Sequence, residues 1–310
     1  MKRLVVPVLV VLAACGGDDK PARSELPGTI YFVEDVPHAQ LVKLAGGTRT
    51  VIGRDLYPSP STLFDGRIVA IASRGDGSAN SEQLALIGSH VERIGPAAAQ
   101  LRDPAVDSRG RIVVAANFDG ASNLYRIDLD GGITQLTNDP QGNFAPATIG
   151  ESVVYVSSRD GDAEIYRDQQ RLTAFHRDDW QPTPSPDGKT IAFLSDRDGT
   201  PHIYVMSSDG TNLRRLTMHD GEETSPTWSR DGKQLAYTVD NQIWLRDLKT
   251  GNDRQLTPPG TNDVEPSFSP DGHWLSVSRA RGDASDVWVI SLDSGEGQPV
   301  AQNARLPRWF

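Results

Sequence analysis

From about residue 29 to the C-terminus, short apolar runs alternate with polar clusters rich in Gly, Pro, Asp and Asn. The runs are too short for helices and lack a 3.6-residue period, so they predict strands joined by tight turns. Three stretches align without gaps: Gln181 to Phe193, Ser225 to Tyr237 and Glu265 to Val277. In each, a proline (Pro182, Pro226, Pro266) is followed six residues later by a glycine (Gly188, Gly232, Gly272), and an Asp stands just before that glycine. The Asp-Gly pair lies between two apolar runs and predicts a hairpin, because glycine adopts the positive φ that such a turn requires. A third run such as His202 to Met206 and a fourth such as Leu213 to Thr217 make four strands per repeat.

Weaker copies lie upstream: Pro60 with Gly66, Pro104 with Gly110, and a shortened one from Pro146 to Gly150. Starts spaced 36 to 44 residues apart, with four strands in each unit, predict a β-propeller rather than a helical solenoid. The two ends supply one more blade. Ala304 to Phe310 resembles only the opening strand of a repeat, with Pro307-Arg-Trp309 matching Pro226-Thr-Trp228, whereas Gly28 to Val33 resembles only a second strand. The chain is therefore expected to be all-β: a monomeric seven-bladed propeller of four-stranded blades over residues 29–310, with the C-terminal strand pairing into the N-terminal blade and leaving no open edge.

Ser185-Pro-Asp-Gly188 and Ser269-Pro-Asp-Gly272, together with Leu172-Thr173, Leu216-Thr217 and Leu256-Thr257, resemble the Pro-Asp repeats of the TolB-type propellers of the bacterial periplasm. The Trp-Asp marker of eukaryotic WD repeats is missing. The resemblance implies the propeller fold and a setting in the cell envelope.

The N-terminus points to the same compartment by independent means. Lys2 and Arg3 precede an apolar run from Leu4 to Ala14, which is too short to span a bilayer. The sole cysteine, Cys15, follows Leu12-Ala13-Ala14, and these four residues resemble a bacterial lipobox. Residues 1–14 are thus expected to be a lipoprotein signal peptide, Cys15 to be acylated, and 15–28 to form a flexible tether that holds the protein in the bacterial cell envelope, facing the periplasm or at the outer membrane. A lone cysteine also rules out an intramolecular disulfide.

Apolar residues make up 37% and charged residues 23% of the chain, a composition that supports a packed fold. The formal net charge of −10 argues against nucleic acid as a partner and favours a cationic segment or a divalent cation such as calcium. No Gly-x-Ser-x-Gly elbow, His-Glu-x-x-His pair, phosphate loop or dinucleotide fingerprint occurs. The chemistry then falls to one face. Strand alternation places the loops between second and third strands, and those between blades, on the same side.

Three residues before its proline, each of four consecutive blades carries Asn143, Asp179, Glu223 or Asp263, expected at the mouth of the central channel. Trp180, expected in an inter-blade loop beside Asp179, is the candidate anchor for a partner. The first reading is a non-catalytic, protein-binding platform in the envelope, contacted at this acidic mouth by a protein or peptide, with no cofactor. A second reading, a metal-dependent carbohydrate-active propeller of the lyase kind, centres on His176, His219 and Asp220. The remaining tryptophans, Trp228, Trp244, Trp274, Trp288 and Trp309, fall in strands and are expected to pack between blades.

Overall fold

The computed structural model describes residues 25–35, 39–63, 65–73, 81–118 and 120–310, with the backbone alone at 58–61. Cys15, the signal segment 1–14 and most of the tether lie outside the described residues. Seven antiparallel four-stranded sheets follow one another along the chain. Blade 1 combines Thr29–Asp35, Ala39–Ala45 and Thr48–Arg54 with Ala304–Trp309 from the other end of the chain, which pairs with Thr29–Asp35 as its innermost strand. Blades 2 to 7 open with Leu56–Thr62, Gln100–Val106, Asn143–Ile149, Asp179–Pro184, Glu223–Trp228 and Asp263–Phe268.

The core is distributed rather than central. Among the described residues, seven clusters of buried apolar side chains each draw on two neighbouring blades, from the blade 1 and 2 contact around Leu41 and Ile68 to the blade 7 and 1 contact around Val289 and Phe32. The ring is therefore closed by packing at every joint. All five strand tryptophans pack into these wedges, as their positions predicted.

Closure also reaches further toward the N-terminus than the predicted tether boundary. Leu26 is buried against the wedge of blades 7 and 1, and the Trp309 indole N–H donates to the Pro27 carbonyl at 2.6 Å. Gly28 has φ +70°, and a Cβ there would come within 2.2 Å of the Phe310 carbonyl oxygen.

Local chemistry explains the repeat. At Ser185-Pro-Asp-Gly188 the Ser185 hydroxyl donates to Asp187 Oδ1 at 2.7 Å, the same oxygen accepts the Lys189 N–H at 3.1 Å, and the Thr190 N–H donates to the Ser185 hydroxyl at 3.1 Å. The turns at Ser229 and Asp231, and at Ser269 and Asp271, repeat this pattern. The Leu-Thr pairs have a separate purpose. The outermost strands of blades 3 to 6 are only two or three residues long, and the hydroxyls of Thr137, Thr173 and Thr257 accept the N–H groups of Leu124, Ile165 and Ile243, each at 2.9 Å. Left unpaired, each buried N–H would cost about 1–3 kcal/mol.

A bulge recurs in the innermost strands. In blade 5, Trp180 pairs with Leu194 but Thr183 pairs with Ala192, so one extra residue is accommodated. The residue before the proline takes the left-handed conformation in six blades: Asp103, Ala145, Gln181, Ser225, Glu265 and Leu306, with φ between 47° and 58°. The proline needs no ladder donor there, which is why a strand interior tolerates it.

Candidate functional site

Asn143, Asp179, Glu223 and Asp263 are the first residues of the innermost strands of blades 4 to 7, so the structure brings all four to one end of the ring as their spacing predicted. All four are fully buried. The backbone N–H of each is fixed by a carbonyl of the preceding blade or loop: Ser122, Ala163, Pro201 and Asn241, at 2.7–2.9 Å.

Their side chains are bound by the protein's own polar groups. Arg197 donates to both oxygens of Asp179 at 2.9 and 2.8 Å, and Arg279 grips Asp263 at 2.6 and 2.8 Å. Arg197 lies 4.6 Å from the Tyr204 ring centre and Arg279 lies 4.0 Å from that of Trp288, so each guanidinium stacks on an aromatic face. Burial pushes the Asp179 carboxyl up from its ordinary range, against the pull of Ser195, Arg197 and Thr173. Glu223 Oε2 accepts the Ile203 N–H at 2.7 Å and a short hydrogen bond from the Thr217 hydroxyl. Asn143 donates to Asn123 Oδ1 at 2.9 Å. The quartet thus acts on the protein itself, fixing where each inter-blade loop leaves its blade.

Two groups here escaped the sequence reading. His202 is buried with its Nδ1 3.8 Å from Glu223 Oε1, and both atoms lack a hydrogen-bond partner among the described residues. Burial holds His202 below the usual imidazole range. Glu164 accepts from the Phe175 N–H and pairs with Arg171, both at 2.7 Å, and so braces the loop before blade 5. The arginines were legible in principle, since Ser157-Ser-Arg159-Asp-Gly and Ser195-Asp-Arg197-Asp-Gly repeat at the end of the second strand. Two acids in the loops between second and third strands are matched within their own blades: Asp160 pairs with Arg171 at 3.2 Å and Asp198 with Arg215 at 3.5 Å.

Trp180 is not in a loop. It is the second residue of the blade 5 innermost strand, pairs in register with Leu194, and is half-buried against the wedge between blades 5 and 6. The large apolar side chains exposed on this face are others. Phe144 follows Asn143, and Phe175 and Met218 stand in the loops before blades 5 and 6; they are 42%, 44% and 73% exposed. Arg197 lies 5.2 Å from the Phe175 ring centre and supports it from the protein side.

The histidines of the second reading are placed differently from a ligand set. His219 Nε2 lies 2.9 Å from the Tyr237 hydroxyl and its ring packs 4.3 Å from Trp244, while His176 packs against Phe175. Among the described residues, no three His, Cys, Asp or Glu side chains converge on a point where a metal ion fits.

Comparison with known proteins agrees with this architecture. Residues 167–309 match the family model described as the TolB beta propeller domain. The chain is similar to TolB from Acinetobacter baumannii, at 23% identity and a TM-score of 0.60, over 91% of this chain and 66% of that one. It is also similar to a puromycin-hydrolyzing peptidase from Mycobacterium tuberculosis, at 17% identity and a TM-score of 0.70, over 91% and 54% of the two chains. A third is oligogalacturonate lyase from Vibrio parahaemolyticus, at 12% identity and a TM-score of 0.62, over 89% and 85%. The chain thus spans less than two thirds of the first two proteins, and the three together show its fold. It is a seven-bladed β-propeller in which residues 167–309 are similar to the TolB beta propeller domain.

Proposed function

We propose that the chain is a cell-envelope lipoprotein, anchored through Cys15, that binds a segment of another envelope protein on the mouth face of blades 4 to 6 and performs no covalent chemistry there. The observation that carries this reading is the display of Phe144, Phe175 and Met218 on the same face of successive blades, beside loops fixed from beneath by Asn143, Asp179 and Glu223. Exposed aromatics and Met on a rigid support suit a protein partner. The buried quartet then shapes the surface, and the contact falls to the side chains above it. Surface acids in the same loops, among them Asp178, Asp220 and Glu222, favour a partner with basic residues around an apolar anchor.

A photocrosslinking amino acid placed at Phe175 or Met218 of the membrane-anchored protein is expected to capture one discrete envelope protein, whereas the same probe at Val51 or Leu129, exposed at other places on the ring, captures none. Equal capture from all four positions would overturn the reading. Palmitate labelling that survives Cys15→Ser would overturn the anchor.

A further inference from the structure

The face opposite the mouth carries a groove of about 690 Å³ between blades 5 and 6. Val205, Leu216 and Leu248 line it together with Trp228, whose indole N–H is already donated to the Thr183 carbonyl at 2.8 Å, so its ring alone is left for the groove. The volume lies in the range of sites for small ligands.

The charge of this groove is opposite in sign to that of the chain as a whole. Its lining holds Arg214, Arg230, Arg246 and Lys249 against Asp187 and Asp231. Both acids are already matched from outside the lining, Asp187 by Lys189 at 3.6 Å and Asp231 by Lys233 at 3.1 Å. Arg246 pairs with Asp253 at 2.6 Å. Arg214, Arg230 and Lys249 form no ion pair among the described residues. Three uncompensated cations in a chain of formal charge −10 make this a localised anion-attracting surface.

The aspartates narrow the ligand class further. Oδ1 of each is occupied by a serine hydroxyl and a backbone N–H within its turn, while Oδ2 is held only by an exposed lysine. Two carboxylate oxygens are therefore able to accept from ligand hydroxyls. A neutral sugar would leave the cations unmatched, and a simple anion would use neither Trp228 nor the aspartates.

We propose that this groove is a binding site for an acidic sugar, its ring laid on Trp228, its hydroxyls donating to Asp187 and Asp231, and its carboxylate held by Arg230 with Arg214 and Lys249. The site lies on the face opposite the proposed protein contact and stands independently of it.

Isothermal titration of the detergent-solubilised full chain with the glucuronate-containing disaccharide of hyaluronan tests the assignment. Saturable binding is expected, at least tenfold weaker in 0.5 M NaCl, in Arg230→Ala/Lys249→Ala, and for maltose in place of the acidic disaccharide. The substituted residues are exposed turn positions, and unchanged circular dichroism would show that the fold is kept. Absence of binding, equal affinity for maltose, no loss in the double variant, or inorganic phosphate binding as tightly as the disaccharide would each overturn the proposal.

Discussion

Blades 1 and 3 fill the first buried position of the innermost strand with Ala304 and Leu101, whereas blades 4 to 7 fill it with Asn143, Asp179, Glu223 and Asp263. All of these positions are buried and all precede a one-residue bulge, so the backbone solution is shared and the side-chain solution is not. The ring itself needs only a residue that fills the space. A polar residue adds the ability to hold an arginine, a threonine and a neighbouring N–H in one place, and it is above such residues that Phe144, Phe175 and Met218 are displayed. Blade 2 departs further, with two extra residues in its bulge between Pro58 and Thr62.

The largest effect that tests this contrast comes from the shared backbone. Deleting residues 304–310 removes the innermost strand of blade 1 and strips two wedges of Trp309 and Phe310. Scanning calorimetry is expected to show no cooperative transition, since opening the ring exposes both edges. A trimmed protein that still melts as one unit would mean the blades are stable without closure.

Next in size are single changes at the contrasting position. Asp179→Ala strands the guanidinium of Arg197 and is expected to cost about 3–5 kcal/mol in urea unfolding, while Leu101→Ala leaves a cavity worth about 2–5 kcal/mol. The two differ in how they are rescued. Replacing Arg197 by Met in the Asp179→Ala background is expected to recover much of the loss, because the buried unpaired charge is then gone. No second substitution relieves Leu101→Ala in that way, and failure of the Arg197 rescue would remove the distinction between the two kinds of blade.

A smaller effect separates the turns on the far face. The Ser229 hydroxyl and the Lys233 N–H hold Asp231 down at about 2, below its ordinary 3.8. A depressed carboxyl contributes stability that is present above the unfolded value and lost as pH falls through the folded one, so this contribution disappears between about pH 4 and about pH 2. Asp231→Asn is expected to flatten the decline of Tm over that window. An unchanged slope would show that the turn's charge does not contribute. Smallest of all, Phe175→Ser and Met218→Ser are expected to change unfolding free energy by no more than about 0.5 kcal/mol while abolishing crosslinked partner. Large destabilisation would mean these side chains serve the fold.

Much of the fold was legible because its signals are local. The Asp-Gly turns, the proline intervals and the lone opening strand at Pro307-Arg-Trp309 each state a backbone requirement within a few residues, and together they count seven blades. The mouth was only partly legible. The positions of Asn143, Asp179, Glu223 and Asp263 followed from the repeat, but their burial did not. Asp179 and Arg197 stand 18 residues apart and meet because two strands pair. Trp180 read as a loop residue because the strand begins one residue before it, a boundary that pairing with Ser195 decides.

The sequence by itself determined the strand order, the blade count and the circular closure, because turns and periodicity depend on near neighbours. The tertiary structure alone decided the state of the acidic residues. Whether a carboxylate solvates a loop or is locked beneath it depends on which cation the fold brings within about 3 Å, where a charged hydrogen bond forms. It likewise decided that cations from one outermost strand and two turns, at Arg214, Arg230 and Lys249, would share one groove, a juxtaposition that arises only when two blades pack side by side.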